Sequence, residues 1–510
     1  MIVVFHNNGR IVDLKSNFQL NLDDFKEHQV TTALFNLASE HSNCILVWCH
    51  ESLKEYLNIT QINTFFTHKN MMLSYGNHHY FSNLIGYIED SPFVNVNKTV
   101  KYPTWLMSSQ VGAIYGSQLI KFQNKINLKD TFDFVLNSIA KHGMPNGLFC
   151  YSEPRLVKNS APIIQTEKAS KNQLFKFVKL HYKSVWSSLL LLNILLYEGK
   201  FPFVAYLKNL FKSQQKFTLK FNLEPLVQSN YNKDVTIDVI IPTMGRRTYL
   251  LDVLKDLALQ THLPQQVIIV EQNKDENSTT ELDFIETETW PFKIIHKFIH
   301  QTGACNARNL ALKEVQADFV FLGDDDNRFK PNLLDLILYN FQTLELDVIT
   351  MSYLQKNEKE TRKTPVQWST FGAGSSVVST KCLKSISFDM ALEYGYGEDV
   401  DFGMQLRNLG FDIIYFPNIK IEHLKAPIGG FRAKFKQPWE RSSIQPKPSP
   451  TVMYNKLKNY TTQQLLGYKT VLFFKYYKVQ NIKNPISYFK LFRKRWAQSM
   501  YWAKRLQNKI

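Results

Sequence analysis

The sequence predicts a mixed α/β protein whose central part is a mainly parallel, Rossmann-like sheet with flanking helices. Three observations predict it. Between residues 233 and 430, short aliphatic runs alternate with helix-length amphipathic segments, the pattern of βαβ units. The chain has 510 residues, too many for one ordinary core, so a second α/β domain is expected. Hydrophobic residues make up 44% and charged ones 21%, which is globular rather than disordered composition.

The elements follow in order. Ile2–Phe5 and Cys44–Trp48 read as buried strands, with a helix between them from Thr31 to Glu40. Residues 1–155 therefore form an N-terminal α/β domain. Residues 156–232 read as a helical connector rich in Lys, Leu and Phe. Its run Leu189–Leu196 is too short to span a bilayer, which takes ~20 residues. Two readings stay open there: a buried packing helix, or an interfacial one. In residues 233–430, Ile237–Ile241 is a strand ended by Pro242. Tyr249, Leu250, Val253, Leu254, Leu257 and Ala258 then recur at helical spacing. Val267–Val270, Phe292–Ile299 and Phe319–Leu322 continue the strands, and Ala304–Val315 supplies another helix. Ligands of such sheets bind outside the carboxyl ends of the strands. Pro242-Thr243, Glu271-Gln272 and Asp324-Asp325-Asp326 all fall at those ends.

Residues 431–510 read as a basic, aromatic helical tail. From Arg441 onward it holds fifteen Lys and Arg and no Asp or Glu, nearly the whole excess behind the net charge of +17. Basic residues interleaved with aromatics suit an anionic membrane surface, or a helix packing its rings inward. A nucleic-acid role would leave the ordered central motifs unexplained, so no nucleic acid partner is expected. Five cysteines without a C-x-x-C pair argue against a disulfide framework or structural zinc. No signal peptide is visible at Met1–His6. A cytoplasmic protein is expected, peripheral on the inner face of the membrane if the tail docks there.

Three adjacent aspartates repel one another unless a cation or solvent relieves them. Carboxylates suit hard cations such as Mg²⁺ or Mn²⁺, but an acidic turn before a helix near Pro331 is an equal reading of the triplet alone. The surrounding motifs go further. Ile240-Ile241-Pro242-Thr243 with Arg246, Gly303-Ala304-Cys305-Asn306-Ala307-Arg308-Asn309, Asp324-Asp325-Asp326 with Pro331, Gly372-Ala373-Gly374-Ser375, and Gly397-Glu398-Asp399 with Asp401 and Arg407 stand in an ordered set. This set resembles the family 2 glycosyltransferases, which have the GT-A fold, over about residues 235–425.

The resemblance implies an inverting, metal-dependent transfer of a sugar from a nucleoside diphosphate donor, UDP by preference, to a glycan or lipid-linked acceptor. Asp399 would be the general base and Glu398 would orient the acceptor. Pro242, Thr243, Arg246, Glu271, Gln272, Arg308, Asp324 and Asp325 would contact the donor. Asp324, Asp326 and His423 would hold Mn²⁺ or Mg²⁺. Glu271-Gln272 departs from the paired aspartates usual in the family, which leaves the base open. A non-catalytic glycan- or nucleotide-binding protein of the same shape is the competing expectation, and retention of both acidic motifs speaks against it. In the first domain, Pro103-Thr104-Trp105, Val111-Gly112-Ala113 and Phe132-Asp133 resemble Thr364–Trp368, Phe371-Gly372-Ala373 and Phe388-Asp389. Two readings stay open for this domain: a degenerate, non-catalytic transferase-like domain, or an unrelated α/β domain.

Overall fold

The protein is described here by a computed structural model covering residues 1–16, 25, 28–165, 167–226, 231–427 and 435–508. Contacts divide the chain into two compact units. One comprises residues 1–226 with 460–475, the other residues 227–459 with 476–510. The connector and the tail therefore do not stand apart as bodies of their own. The expected boundary at 430/431 lies outside the described residues.

The first unit is built on seven strands: β1 (Ile2–Asn7), β2 (Arg10–Ser16), β3 (Ile45–His50), β4 (Met71–Tyr75), β5 (Tyr102–Pro103), β6 (Val111–Tyr115) and β7 (Phe149–Ser152). They lie in the order β2-β1-β3-β6-β4-β7-β5. Helices α1 (Val30–Glu40), α2 (Gly116–Leu119) and α3 (Phe132–Gly143) lie within this stretch. The expected helical connector is three helices, α4 (Lys171–His181), α5 (Val185–Glu198) and α6 (Phe203–Asn209). Leu174, Phe175, Phe177 and Val178 of α4 join the same core as Trp48, Phe134 and Leu136. The leucine run lies in α5, which has two faces. Leu190 and Ile194 are fully buried, while Leu195 and Leu196 are exposed.

The second unit holds β8 (Ile237–Thr243), α7 (Arg247–Ala258), β9 (Gln266–Gln272), α8 (Phe284–Thr287), β10 (Lys293–Ile299), α9 (Ala304–Leu312), β11 (Phe319–Gly323), β12 (Asn327–Phe329) and α10 (Leu333–Leu344). Then come β13 (Val348–Leu354), β14 (Val366–Gln367), β15 (Ser375–Ser379), α11 (Glu398–Asn408), β16 (Ile413–His423) and α12 (Pro450–Asn459). The strand order is β10-β9-β8-β11-β15-β13-β16-β12, with β14 also on β16. β8, β9, β10 and β11 are parallel neighbours, as the alternation predicts. The sheet as a whole is mixed, because β15 runs antiparallel to both β11 and β13, and β12 and β14 antiparallel to β16. Those pairings join segments far apart in sequence, which period and composition do not reveal.

Helices α13 (Thr462–Val479) and α14 (Pro485–Gln507) close the chain. The tail is helical as expected, and its rings divide: Phe474, Phe489 and Tyr501 are exposed, while others are buried. Tyr488, Phe492, Trp496, Ser499 and Ala503 form one buried stripe of α14 at helical spacing. In α12, Met453 and Tyr454 are buried. Among the described residues no helix is long and apolar enough to cross a membrane.

Candidate active site

The carboxyl ends of β8, β9 and β11 open on a cavity of about 380 Å³ lined by Pro242, Thr243, Arg246, Gln272, Arg308 and the three aspartates, with His423 at its edge. Thr243 and Gln272 are the last residues of β8 and β9. Asp324 follows directly on the last residue of β11.

The triplet divides its work. Asp325 is nearly buried, and its carboxylate accepts hydrogen bonds from the Thr243 hydroxyl at 2.7 Å and the Arg246 guanidinium at 2.5 Å. Burial still pushes its pKa up to about 6, against the pull of Arg246. Asp325 therefore serves to fix Arg246 at the cavity wall. Asp326 accepts from the Ala426 backbone N–H at 2.9 Å, and Arg246 and His423 Nε2 lie 3.3 and 3.6 Å from its Oδ2. Burial opposes its ionisation, but the His423, Ala426 and Arg246 contacts outweigh burial and hold it below the usual carboxylate range. Asp324 is more open and takes Arg308 Nη2 at 3.0 Å and the Tyr353 hydroxyl at 3.3 Å. Tyr353 stacks on His423 with ring centroids 4.4 Å apart, which fixes the imidazole beside Asp326. Gly374 lies against Asp324 so closely that a Cβ would overlap the carboxylate. That is why the loop before β15 needs a small residue there.

Asp399 is the second residue of α11. It does not line the cavity, and neither does Glu398, although Arg308 and Asp324 lie near enough to act on it. One carboxylate oxygen accepts the Ala373 N–H at 3.3 Å, and the other is buried without a partner. Burial pushes its pKa up to about 7; Arg308 pulls it down, and Glu398 and Asp324 push it up. Glu398 is raised by burial too. An unpartnered carboxylate poised near neutrality can accept a proton at physiological pH.

Two expected donor contacts are otherwise engaged. Glu271 does not line the cavity: its carboxylate takes the Thr280 hydroxyl, the Glu281 N–H at 3.0 Å and His296 Nε2 at 2.9 Å. Gln272 does line it, but its side-chain oxygen accepts the Gly303 N–H at 2.6 Å. The first turn of α9, where Arg308 and the helix dipole were expected to meet phosphate, is capped by Glu393, which accepts from the Cys305 and Asn306 N–H groups at 3.1 and 2.8 Å. Gly303, at φ +134°, permits this close approach. Glu393, Tyr394, Thr302 and Lys425 also line the cavity, and none was singled out from the sequence. No local motif marks them, because they reach the site through loops after other elements.

The tail also contributes. Lys458 of α12 lies 2.8 Å from Asp401 and 3.0 Å from Asp389, Tyr454 donates to Asp389 at 2.6 Å, and Asn455 donates to the Gly397 carbonyl at 3.1 Å. These contacts brace the turn that presents Glu398 and Asp399. Among the described residues, no three His, Cys, Asp or Glu side chains converge as a ready metal cage.

Residues 238–393 match the family model for glycosyl transferase family 2. A glycosyltransferase of Streptococcus pneumoniae, GlyG, is 21% identical over 124 residues, covering 24% of this chain and 41% of that protein. The Bacillus subtilis uncharacterized glycosyltransferase YwdF is 28% identical over 124 residues, 24% of this chain and 45% of that one. The chain thus spans less than half the length of these relatives. Among solved structures, S. aureus TarS 1–349 in complex with UDP-GlcNAc aligns at TM-score 0.36 and 17% identity, over 46% of this chain and 70% of that one. The cavity at the carboxyl ends of β8, β9 and β11 thus sits largely within a glycosyl transferase family 2 domain at residues 238–393, the family to which this part of the chain belongs.

Proposed function

We propose that this domain transfers a sugar from a nucleoside diphosphate donor, a UDP-sugar by preference, to a hydroxyl of a glycan or lipid-linked acceptor, with inversion at the anomeric carbon. The observation that carries it is the gathering of Arg246, Arg308 and the acidic triplet around one cavity inside a family 2 domain. Asp399 takes the proton of the acceptor hydroxyl as that oxygen attacks the anomeric carbon. The bond from that carbon to the diphosphate breaks, and the diphosphate leaves with its electrons. A single displacement driven by one base inverts the centre. Arg308 and Arg246, both cationic and both facing the cavity, suit the diphosphate as charge-assisted donors.

Mg²⁺ or Mn²⁺ fits the residues present if it arrives with the donor. Asp326 and His423 stand side by side and offer two ligand groups, and Mg²⁺ takes one or two carboxylates and fills the rest of its shell with phosphate oxygens and water. Asp324, held by Arg308 and Tyr353, is the third candidate. The cation would neutralise the leaving diphosphate. The test is a thermal-shift and donor-hydrolysis screen of nucleotide sugars, with and without Mn²⁺. Asp326→Ala should abolish the Mn²⁺-dependent part of donor stabilisation and leave the Mn²⁺-independent part. Equal donor stabilisation in Asp326→Ala and the parent, with Mn²⁺ present, would remove Asp326 from the metal site.

A membrane-surface contact is the second part of the proposal, and it moves from the tail to α5 and α6. Phe201, Phe203, Val204 and Leu207 are exposed, and Phe211 is 92% exposed. Lys200, Lys208 and Lys212 are exposed among them. Apolar side chains ringed by lysines suit an anionic lipid surface. Each large side chain buried in lipid contributes ~1.5–3 kcal/mol. A Val204→Asp, Phe211→Ser double variant should therefore float with phosphatidylglycerol vesicles at least about tenfold less than the parent. Undiminished flotation would discard this surface.

A further inference from the structure

The two sheets share a core that the sequence only hints at. In chain order, β1, β3, β4, β5, β6 and β7 correspond to β8, β11, β13, β14, β15 and β16. Every neighbour relation and every parallel or antiparallel sense agrees between the two sets. The registers agree as well. Val4 pairs with Trp48 and Ile240 with Leu322; Trp48 pairs with Gly112 and Leu322 with Ser376. Gly112 pairs with Ser74 as Ser376 pairs with Thr350, and Met72 with Cys150 as Val348 with Ile413. Even a single hydrogen bond outside the ladders repeats, from Thr104 N–H to the Cys150 carbonyl and from Trp368 N–H to the Ile413 carbonyl, at 3.0 and 2.9 Å.

Carried to the ends of these strands, this register sets His6 against Pro242, His50 against Asp324, and Ser109 against Ala373. Asp133 then finds its counterpart. It is the second residue of α3, the helix before β7, as Asp399 is the second residue of α11, the helix before β16. Its carboxylate accepts the Ser109 N–H at 2.8 Å, as Asp399 accepts that of Ala373. Burial raises both, Asp133 to about 6. The sequence comparison matched Phe132-Asp133 to Phe388-Asp389 and Val111-Gly112-Ala113 to Phe371-Gly372-Ala373. The register corrects both, the second by four residues.

At the same end of this sheet lies a cavity of about 440 Å³, lined among others by His6, Arg10, His50, Ser109, Lys129 and Asp133. That is within the ~300–1,000 Å³ of small-molecule sites. His6 is only 2% exposed; its Nε2 meets the Ser109 carbonyl at 2.7 Å, and its Nδ1 is buried with no protein partner. His6 lines this cavity, and a buried polar nitrogen without a protein partner is a rare feature of a fold.

We propose that this cavity is a second binding site, which takes an uncharged saccharide through its hydroxyls and not a nucleoside diphosphate. The diphosphate machinery is missing. Where the family 2 domain has Asp324-Asp325-Asp326, this sheet has His50-Glu51-Ser52. Its helix before β3, α1, carries no arginine to match Arg308. Burial keeps His6 neutral, lowered to about 4, and lowers His50 also. Arg10 and Lys129 then face Asp130, Asp133 and Glu167, which leaves no surplus of positive charge for a diphosphate. Neutral imidazole, carboxylate, amide and hydroxyl groups around one space match a polyol, which offers donors and acceptors in equal measure. The saccharide class rests on the transferase reading of the other unit; the site itself does not.

The test uses the full chain on an array of uncharged mono- and oligosaccharides, with UDP-sugar thermal shifts read on the same preparations. At least one neutral saccharide should be retained. Asp133→Asn, and Lys129→Ala at the exposed rim, should each weaken it by about tenfold, as loss of a charged hydrogen-bonding group does. Asp326→Ala should leave it in place. Retention of no saccharide, retention untouched by both first-unit variants, or loss in Asp326→Ala would each overturn the proposal. The UDP-sugar shift fails or succeeds separately, so loss of the donor reading would be seen apart from loss of this one.

Discussion

Asp399→Asn should lower sugar transfer by about 10²–10⁴-fold, the usual contribution of a positioned base, and leave donor-induced thermal stabilisation intact. Asparagine keeps the shape and can still accept the Ala373 N–H, but it cannot take a proton. The fold should not suffer. Asp399 ionises reluctantly because it is buried beside Glu398 and Asp324. Its acidity in the folded state stands at about 7, above the unfolded carboxylate value near 3.9. Such a group stabilises the fold only while protonated, and that contribution is lost as pH rises from about 4 through about 7. Asparagine removes this cost, so the variant should melt no lower than the parent at pH 8. Transfer at the parent rate would refute the base assignment. A lower melting point at pH 8 would mean that the carboxylate is structural.

The parts of this site that could be read from sequence are those whose meaning is local. Strand, turn and helix follow one another from Ile237 to Gly323, and each strand end delivers its polar residues where a parallel arrangement requires. The start of α11 at Glu398 is local in the same sense, since glycine followed by acids is a helix-opening pattern. What escaped notice depends on distant pairing. Glu271 stands in the expected place, yet its carboxylate is claimed by Thr280 and His296, which come from the loop after β9 and from β10. Glu393 caps α9 from 88 residues away. Lys458 and Asn455 looked like part of a basic appendage, and only the packing of α12 brings them to Asp401 and Gly397. The strand order common to the two sheets shows the same limit from the other side, because register is set by ladders and not by resemblance of short words.

Arg308→Gln should produce the other large effect, and its pH dependence separates it from Asp399→Asn. Arg308 is buried, its Nη2 sits 3.0 Å from Asp324, and its guanidinium lies over the Phe388 ring with the centroid 5.5 Å away. Burial alone would make it lose its proton more easily; Asp324, Asp399 and Glu398 hold the proton more firmly instead and raise its pKa. The same cation is the strongest influence resisting the rise of Asp399. Glutamine removes it from among three carboxylates, and Asp399 then moves further above about 7. A base works only when ionised, so the rate should climb with pH through about 7 in the parent and through a higher pH in the variant. At pH 7 the variant loses both the ionised base and a charge-assisted contact to the diphosphate, worth about 1.5–3 kcal/mol in a typical case. A fall of about 10²-fold or more in kcat/KM is expected there. Raising the pH to 9 should restore the part due to the base and leave the part due to donor binding. Asp399→Asn has no proton to lose and should recover nothing. Removing the buried cation leaves three neighbouring carboxylates uncompensated, so melting should fall too, most steeply at high pH where all three carboxylates are charged. An acid limb that stays where the parent has it would show that Arg308 serves the donor alone.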